Sequence, residues 1–298
     1  MLRDFGHPQK SKLTLPKRVL VMCKISVVMP IYRSKPHYLE ESIKSLLNQT
    51  YSDFELILIM DRSQPSIDNQ IFKVVNSFSN DKRLKLVVNK VKHGVVRSLN
   101  KAISISAGEY IARADDDDFY HPCRFEEQIQ VLNSGYQLVG SWAYVVDVNG
   151  RIIGEIRKPI QSKEIREKML VHNPFVHSSV MVKRDVLEDV GLYNPSFETS
   201  EDYELWLRIV SKGYLAYNIP KHLVYLRVNP YSVTRGKRWL INRVQYVKCK
   251  AFAVKYGWRK PSDILLSLTS PASFFIPSQL FQGKALKLIN NFFSKRKN

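Results

Sequence analysis

ISVVMPIYRSKPHYLEESIKSLLNQTYSDFELILIMD, residues 25–61, carries the pattern that decides the fold. Residues 25–29 form a β-branched apolar run that Pro30 is expected to stop, and 54–60 form a second apolar run of strand length. Between them, residues 38–48 set Leu39, Ile43, Leu46 and Leu47 on one helical face. The rhythm then repeats. Residues 66–78 carry Ile67, Ile71, Val74, Val75 and Phe78 at helical spacing, and 84–88 read as a third strand. Gly94 opens a helix bearing Val95, Leu99, Ala102 and Ile103, and 110–114 make a fourth strand. Such strict alternation predicts an α/β fold with a mainly parallel sheet and helices on both faces, because parallel strands need crossover connections. The loops at 30–33, 61–63, 89–94 and 115–118 then converge on one sheet edge, where open α/β sheets place their ligands.

Beyond Asp118 the alternation loosens. A helix is expected near 122–133 and a strand over 137–147, with Asn149-Gly150 signalling a type I′ hairpin turn. Ser162 is expected to cap a helix bearing Ile165 and Met169, 178–182 read as a strand, and 184–190 as a short helix closed by Gly191. A helix starting near Glu201, with Thr199 or Ser200 as its cap, should end at Gly213. Residues 235–256 read as a basic helix, followed by an uncharged window at 264–283.

The chain of 298 residues is 44% hydrophobic, enough for one large core or a core with a smaller appendage. Cys23, Cys123 and Cys249 show no CxxC spacing and leave an odd number, which argues for a reducing compartment and against a disulfide framework or zinc site. Residues 1–24 lack an uninterrupted apolar stretch and are expected to be a basic, disordered leader in a cytoplasmic protein, with Met22 an alternative start. The formal charge of +19 sits at the ends: +5 in 1–24, +13 in 235–298, and +1 across 25–234. Nucleic-acid binding is therefore not expected, since the charge lies outside the motif-bearing body and no RRM, KH, helix-turn-helix or zinc pattern accompanies it. The basic C-terminal region, with its uncharged window interrupted by Pro271 and Pro277, reads instead as an interfacial anchor at an anionic cytoplasmic leaflet. A helical cap packed against the sheet is the alternative.

Four consecutive aspartates, 115–118, follow the apolar run of the fourth strand. Their mutual repulsion calls for a cation or a donor network, so a divalent metal, Mn²⁺ or Mg²⁺, is the first expectation and a hydrated acidic turn the second.

In fixed order, VVMPIY, LLNQTYSDFELILIMD, GVVRSLNKAI, GEYIARADDDD, HPCRFEEQ and SEDYELWLRI resemble the motifs of the family 2 glycosyltransferases, inverting enzymes of the GT-A, Rossmann-like fold, here of the non-processive bacterial kind. The resemblance runs from about 25 to about 235. It implies a catalytic domain over 25–234, with a nucleotide-sugar-binding half at 25–118 and an acceptor-binding half at 119–234, followed by the basic helical region 235–298. It also implies transfer of one sugar from a nucleotide-sugar, a UDP-hexose or UDP-N-acetylhexosamine by default, to a hydroxyl of a saccharide acceptor, lipid-linked acceptors included. The setting it suggests is bacterial cell-surface polysaccharide or lipooligosaccharide synthesis.

On the donor side the resemblance selects Pro30, Tyr32, Asp61, Gly94, Asn100, Arg113 and Asp115. Asp117 becomes the metal ligand with Asp115 in support, and Asp202 the general base, with Glu201, Trp142 and His177 on the acceptor side. Each has a plainer reading: Asp61 as an Asx-turn residue, Glu201 and Asp202 as complements to a helix dipole, His177 as a satisfied structural histidine. The chain departs from the family pattern where Met60 precedes Asp61, where Leu99 stands before Asn100, leaving phosphate contacts to Arg97, Arg113 or Lys92, and where Asn229 replaces a histidine. No QxxRW signature of processive polymerases is present. A nucleotidyltransferase or a non-catalytic nucleotide-sugar binder remains the rival on the same fold.

Overall fold

The computed structural model describes residues 24–228 together with 248, 249, 253 and 256–258. Its first half follows the predicted alternation: β1 (Ile25–Ile31), α1 (Pro36–Leu47), β2 (Phe54–Asp61), α2 (Pro65–Ser77), β3 (Leu84–Asn89), α3 (Val95–Ile105) and β4 (Tyr110–Arg113). These strands pair in the order β3-β2-β1-β4, all parallel. Pro36 and Pro65 each sit at the start of a helix, where their fixed φ suits the first turn and no amide is missed.

Period two along the strands separates two cores. Ile25, Val27, Met29 and Ile31 face α1, α2 and the later helix α4, while Val28, Ile57, Ile59 and Ile111 face α3 and the later helices α5–α7. Both faces are covered, as apolar strands buried on two sides require. β1 runs through Pro30 instead of stopping there. Its pairing with β4 ends at Val28, so Pro30 lies where one side of the strand has no ladder to break.

The second half comprises β5 (Phe119–Tyr120), α4 (Arg124–Asn133), β6 (Leu138–Val146), β7 (Ile152–Ile156), α5 (Ser162–Met169), a 3-10 turn (His177–Ser179), β8 (Met181–Lys183), α6 (Arg184–Val190), α7 (Glu201–Ser211) and β9 (Ala216–Arg227). β8 joins the halves, antiparallel to both β4 and β6, and β9 lies parallel to β6 and antiparallel to β5. The parallel ladders remain the longer ones, and the sheet is mainly parallel.

Several local expectations change. The β6–β7 hairpin forms, but its loop spans 147–151 with Gly150 alone at positive φ, so the turn is not type I′; the Gly150 N–H reaches Asp147 O and the strand carries a bulge. Ser162 does not cap α5: its hydroxyl donates to Ala216 O, and Gln161 stands at the cap position. The expected strand at 178–182 is shifted: a 3-10 turn takes up 177–179 and the strand itself runs over 181–183. β5 and β9 were not anticipated.

Cys249, Ala253 and Trp258, within and just past the predicted basic helix, are buried in the core that holds α7. The Tyr256 hydroxyl donates to Glu204 Oε1 at 2.7 Å, and the Arg166 guanidinium lies 4.3 Å from the Trp258 ring. The expected leader, the window at 264–283 and Asn229 lie outside the described residues. Among the described residues no helix is long and apolar enough to cross a membrane.

Gly108 marks how closely β4 sits on β1. A Cβ there would lie 2.4 Å from the backbone N of Ser26, and the Gly108 N–H donates to Ser26 Oγ at 2.7 Å. Gly108→Ala is expected to cost about 1–3 kcal/mol as overpacking against backbone that cannot yield. A urea midpoint equal to that of the unsubstituted protein would refute this seating.

Candidate active site

The loops that follow the first four strands meet at one edge, and Asp61 is a principal tie. Its Oδ1 accepts from Asn89 Nδ2 at 2.8 Å and Ser98 Oγ at 3.1 Å; its Oδ2 accepts from the backbone amides of His93 at 3.0 Å and Gly94 at 2.8 Å. Four donors fill the lone-pair directions of one carboxylate and fix the start of α3, where Gly94 takes a φ of 82°. Tyr32, following β1, is exposed, with Lys92 Nζ 4.3 Å from its ring centroid. Asn100 is spent on backbone, bonding the Tyr193 carbonyl at 2.8 Å and its amide at 3.0 Å.

The acidic turn draws partners from both halves. Arg113, buried, donates to Asp115 Oδ1 at 2.6 Å, and Asp115 holds this guanidinium above its ordinary pKa despite the burial. Ser34 Oγ donates to Asp116. Asp118 accepts from Ser178 Oγ at 2.6 Å and the Arg227 amide at 2.9 Å. Arg227 also donates Nε to the Asp117 carbonyl at 3.0 Å, pairs with Glu41, and lies 4.2 Å from the Tyr38 ring. Enclosure, then the neighbouring carboxylates, push the Asp116 and Asp118 carboxyls well above the ordinary range. Asp117 is pushed up to about 6 by the same causes, and among the described residues it has no ion pair.

Across from this turn, α7 presents Glu201 and Asp202. Ser200, at the cap position, has φ 64° and makes no side-chain cap bond, and the Thr199 hydroxyl is buried without a partner among the described residues, so neither hydroxyl caps the helix. Asn173 Nδ2 instead donates to Asp202 Oδ2 at 2.7 Å. Burial raises the Asp202 carboxyl, opposed by its own and the Tyr203 backbone amides, Asn173 and Lys158. Glu201 is raised further, to about 8, by burial and then by the charge of Asp202. The two adjacent carboxyl groups thus sit in different surroundings, Asn173 and Lys158 favouring the charged form of Asp202, which is how such a pair can take different roles.

Residues 26–191 match the family model described as Glycosyl transferase family 2, and 110–285 match Glycosyl transferase family group 2. An uncharacterized glycosyltransferase of Methanocaldococcus jannaschii is 35% identical over 214 residues, covering 68% of this chain and 73% of that protein. The chain belongs to glycosyltransferase family 2. The O-antigen biosynthesis glycosyltransferase WbnJ of Escherichia coli is 31% identical, covering 82% of this chain and 91% of its own length. Among solved structures, S. aureus TarS 1-349 in complex with UDP-GlcNAc superposes with a TM-score of 0.63 at 16% identity, over 80% of this chain and 67% of that one. The mannosyltransferase PcManGT from Pyrobaculum calidifontis, in complex with GDP-Man and Mn²⁺, gives 0.60 at 17% identity, over 90% of this chain and 81% of that one. At these identities the likeness concerns the fold, which is GT-A.

Within this glycosyltransferase the residues singled out from sequence divide into those with side chains facing the site edge and those absorbed by structure. Arg113 senses the charge of Asp115, and Glu201 senses those of Asp202, Arg113 and Asp115. His177 bonds the Tyr193 hydroxyl at 2.9 Å and stacks edgewise on Trp206, and enclosure pushes its imidazole well below the usual value. Trp142 donates Nε1 to Lys158 O at 2.9 Å. Asp61 and Asn100 act on backbone. Among the described residues no three His, Cys, Asp or Glu side chains form a ready metal cluster. Sequence reasoning missed Arg227 and Lys158; it placed residues 173–179 on the acceptor side by resemblance but did not foresee the bond from Asn173 to Asp202, and Arg227 left a signal as the one cation closing the apolar run LVYLR.

A carboxyl raised in the folded state costs stability above the unfolded value, progressively until the folded value is passed. Glu201→Gln is therefore expected to melt above the unsubstituted protein, with the full advantage above about pH 8 and a shrinking one toward 4.5. Thermal denaturation at pH 9 and pH 6 measures it, and equal differences at the two would remove the raised Glu201.

Proposed function

We propose that this chain is an inverting transferase that moves one sugar from a nucleotide-sugar to a hydroxyl of a saccharide acceptor, with Asp202 as general base. The observation that supports this most is the Asp202 carboxyl group, oriented by the Asn173 amide and adjacent to Glu201, which senses the charges of Arg113 and Asp115 at the acidic edge. Asp202 takes the acceptor hydroxyl proton as the acceptor oxygen bonds to the anomeric carbon from the face opposite the leaving group. The bond from that carbon to the diphosphate oxygen breaks with its electron pair going to the diphosphate. One displacement inverts configuration and needs no covalent intermediate.

On the donor side, Tyr32 offers an exposed ring for a base to pack on, Pro30 shapes the strand end beneath it, and Asp61 holds the Gly94 turn that lines the edge. Arg113 Nε is a buried donor without a partner among the described residues and fits an anionic group of the donor. Asp117 fits a divalent cation, because its carboxyl is pushed toward protonation and has no ion pair among the described residues, and Asp115 has one oxygen beyond the Arg113 bridge. When bound, Mn²⁺ or Mg²⁺ supplies charge neutralisation for the diphosphate. The names of relatives, O-antigen biosynthesis in Escherichia coli and amylovoran biosynthesis in Erwinia amylovora, support a cell-surface polysaccharide as the product. The +13 of residues 235–298 supports work at the anionic inner membrane face, where lipid-linked acceptors would be met.

A panel of UDP-, GDP- and dTDP-sugars assayed for hydrolysis identifies the donor, with a UDP-hexose or UDP-N-acetylhexosamine expected. On that donor, Asp202→Asn should keep nucleotide binding by calorimetry while turnover falls at least about 10²-fold; turnover near that of the unsubstituted enzyme would assign the base elsewhere. Mn²⁺ with UDP should raise the melting temperature of the unsubstituted protein and leave Asp117→Asn nearly unmoved. An equal shift in both would move the metal away from Asp117.

A further inference from the structure

Lys158, in the connection between β7 and α5, and Asn173, between α5 and the 3-10 turn, come together behind Asp202. Lys158 Nζ donates to the Asn173 carbonyl at 2.7 Å. The Asn173 side chain is held at both ends. Its Oδ1 accepts the Phe175 amide at 3.1 Å, which fixes the amide plane and turns Nδ2 onto Asp202 Oδ2 at 2.7 Å. Of the described side chains only Asn173 donates to the Asp202 carboxylate. On the far side, Trp142 Nε1 bonds the Lys158 carbonyl at 2.9 Å, and the Arg157 guanidinium lies 5.1 Å from the Trp142 ring. The strand β6 is thus connected to the base through three hydrogen bonds.

We propose that Lys158 and Asn173 are positioning residues for the base: Asn173 fixes the direction of the Asp202 carboxylate, and the Lys158 ammonium keeps that carboxylate ionised while the acceptor hydroxyl is brought to it. The proposal rests on the reading of Asp202 as base. A carboxylate beside protonatable Glu201 in a partly enclosed pocket would otherwise drift toward its neutral form, in which it accepts no proton. Lys158 is the cation that opposes this, and it interacts with Asp202 alone among the ionisable groups that shift it. The other groups facing the pair are Glu201, the Tyr193 hydroxyl and the Cys249 thiol, each pushed toward its neutral form by burial and so toward adding no negative charge, while Arg113 and Asp115 act on Glu201 with opposite signs. Burial pushes Lys158 down to about 8 while Asp202 pulls it back up, so the ammonium predominates below about pH 8.

The pH profile of turnover reads this directly. A base must be ionised to act, so the acid limb follows Asp202, and loss of a nearby positive charge moves that limb to higher pH. With the fastest-hydrolysed donor from the UDP-, GDP- and dTDP-sugar panel, Lys158→Met should shift the acid limb upward by about one pH unit, and Lys158→Arg should hold it near its original place. Asn173→Ala should lower kcat at least about 10-fold with little change in donor KM, and Asn173→Asp should move the limb upward further than Lys158→Met does. A merely structural role would lower rates without moving the limb. An unmoved limb in Lys158→Met and Asn173→Asp, in variants that melt cooperatively, overturns the proposal.

A second measurement needs no donor. After reductive methylation with ¹³C-formaldehyde, the Lys158 resonance, assigned by its loss in Lys158→Arg, should titrate near 8 and move to lower pH in Asp202→Asn. An Asp202→Asn enzyme that is inactive while its Lys158 resonance stays put refutes the coupling and spares the base. One that remains active while the resonance moves refutes the base and, with it, the catalytic purpose of the pair.

Discussion

Repulsion within the acidic turn at 115–118 is the constraint around which the rest is arranged. Enclosure at the end of a buried strand, with the charge of Asp115 added, raises the proton affinity of Asp116, Asp117 and Asp118. The fold answers with donors from every direction: Arg113 from β4, Ser34 from beyond β1, Ser178 from the 3-10 turn, and Arg227 from the end of β9. Two of these lie in the first half of the chain and two in the second. The turn can be satisfied only when β9 has come round to lie against β5, which is a reason for the curl of the sheet. Among the described residues only Asp115 of the four has an ion pair, and the raised proton affinity of Asp117 marks a charge that the fold leaves poorly compensated.

The parallel half was legible because its physics is local. Each strand there is buried on two faces, and each helix carries one apolar stripe, so periodicity in a short window reports both. β9 was hidden because Pro220, Lys221 and His222 interrupt its apolar run; the strand tolerates them through register shifts opposite 141–143 of β6, which no local pattern announces. Likewise the Asn149-Gly150 dipeptide marked a turn but not its length, which Asp147 sets by accepting the amides of Asn149 and Arg151. At the site, ordered motifs exposed the carboxylates Asp61, Asp115, Asp117 and Asp202. Their supports stayed invisible, since Asn173 acts on a residue 29 positions away and Arg227 on one 109 positions away.

The two halves meet along a narrow seam. β8 holds β4 by three residue pairs and β6 by two. Much of the joining is left to the core beneath, where α3 packs with α5–α7, and to the double bond between Asn100 and the Tyr193 backbone. Asn100 thereby fixes the distance between the helix that starts at the donor edge and the segment leading to Glu201 and Asp202.

The long reach of Arg227 has a consequence for biosynthesis. The acidic turn emerges from the ribosome 109 residues before Arg227, an interval of roughly 5–20 s at elongation rates of about 5–20 residues per second. During that time the nascent parallel half can assemble from neighbouring segments, but its most repulsive loop lacks the cation that will lie beneath it. A chain paused before β9 would therefore display its four carboxylates to solvent, where cytoplasmic cations can screen them until the last strand arrives.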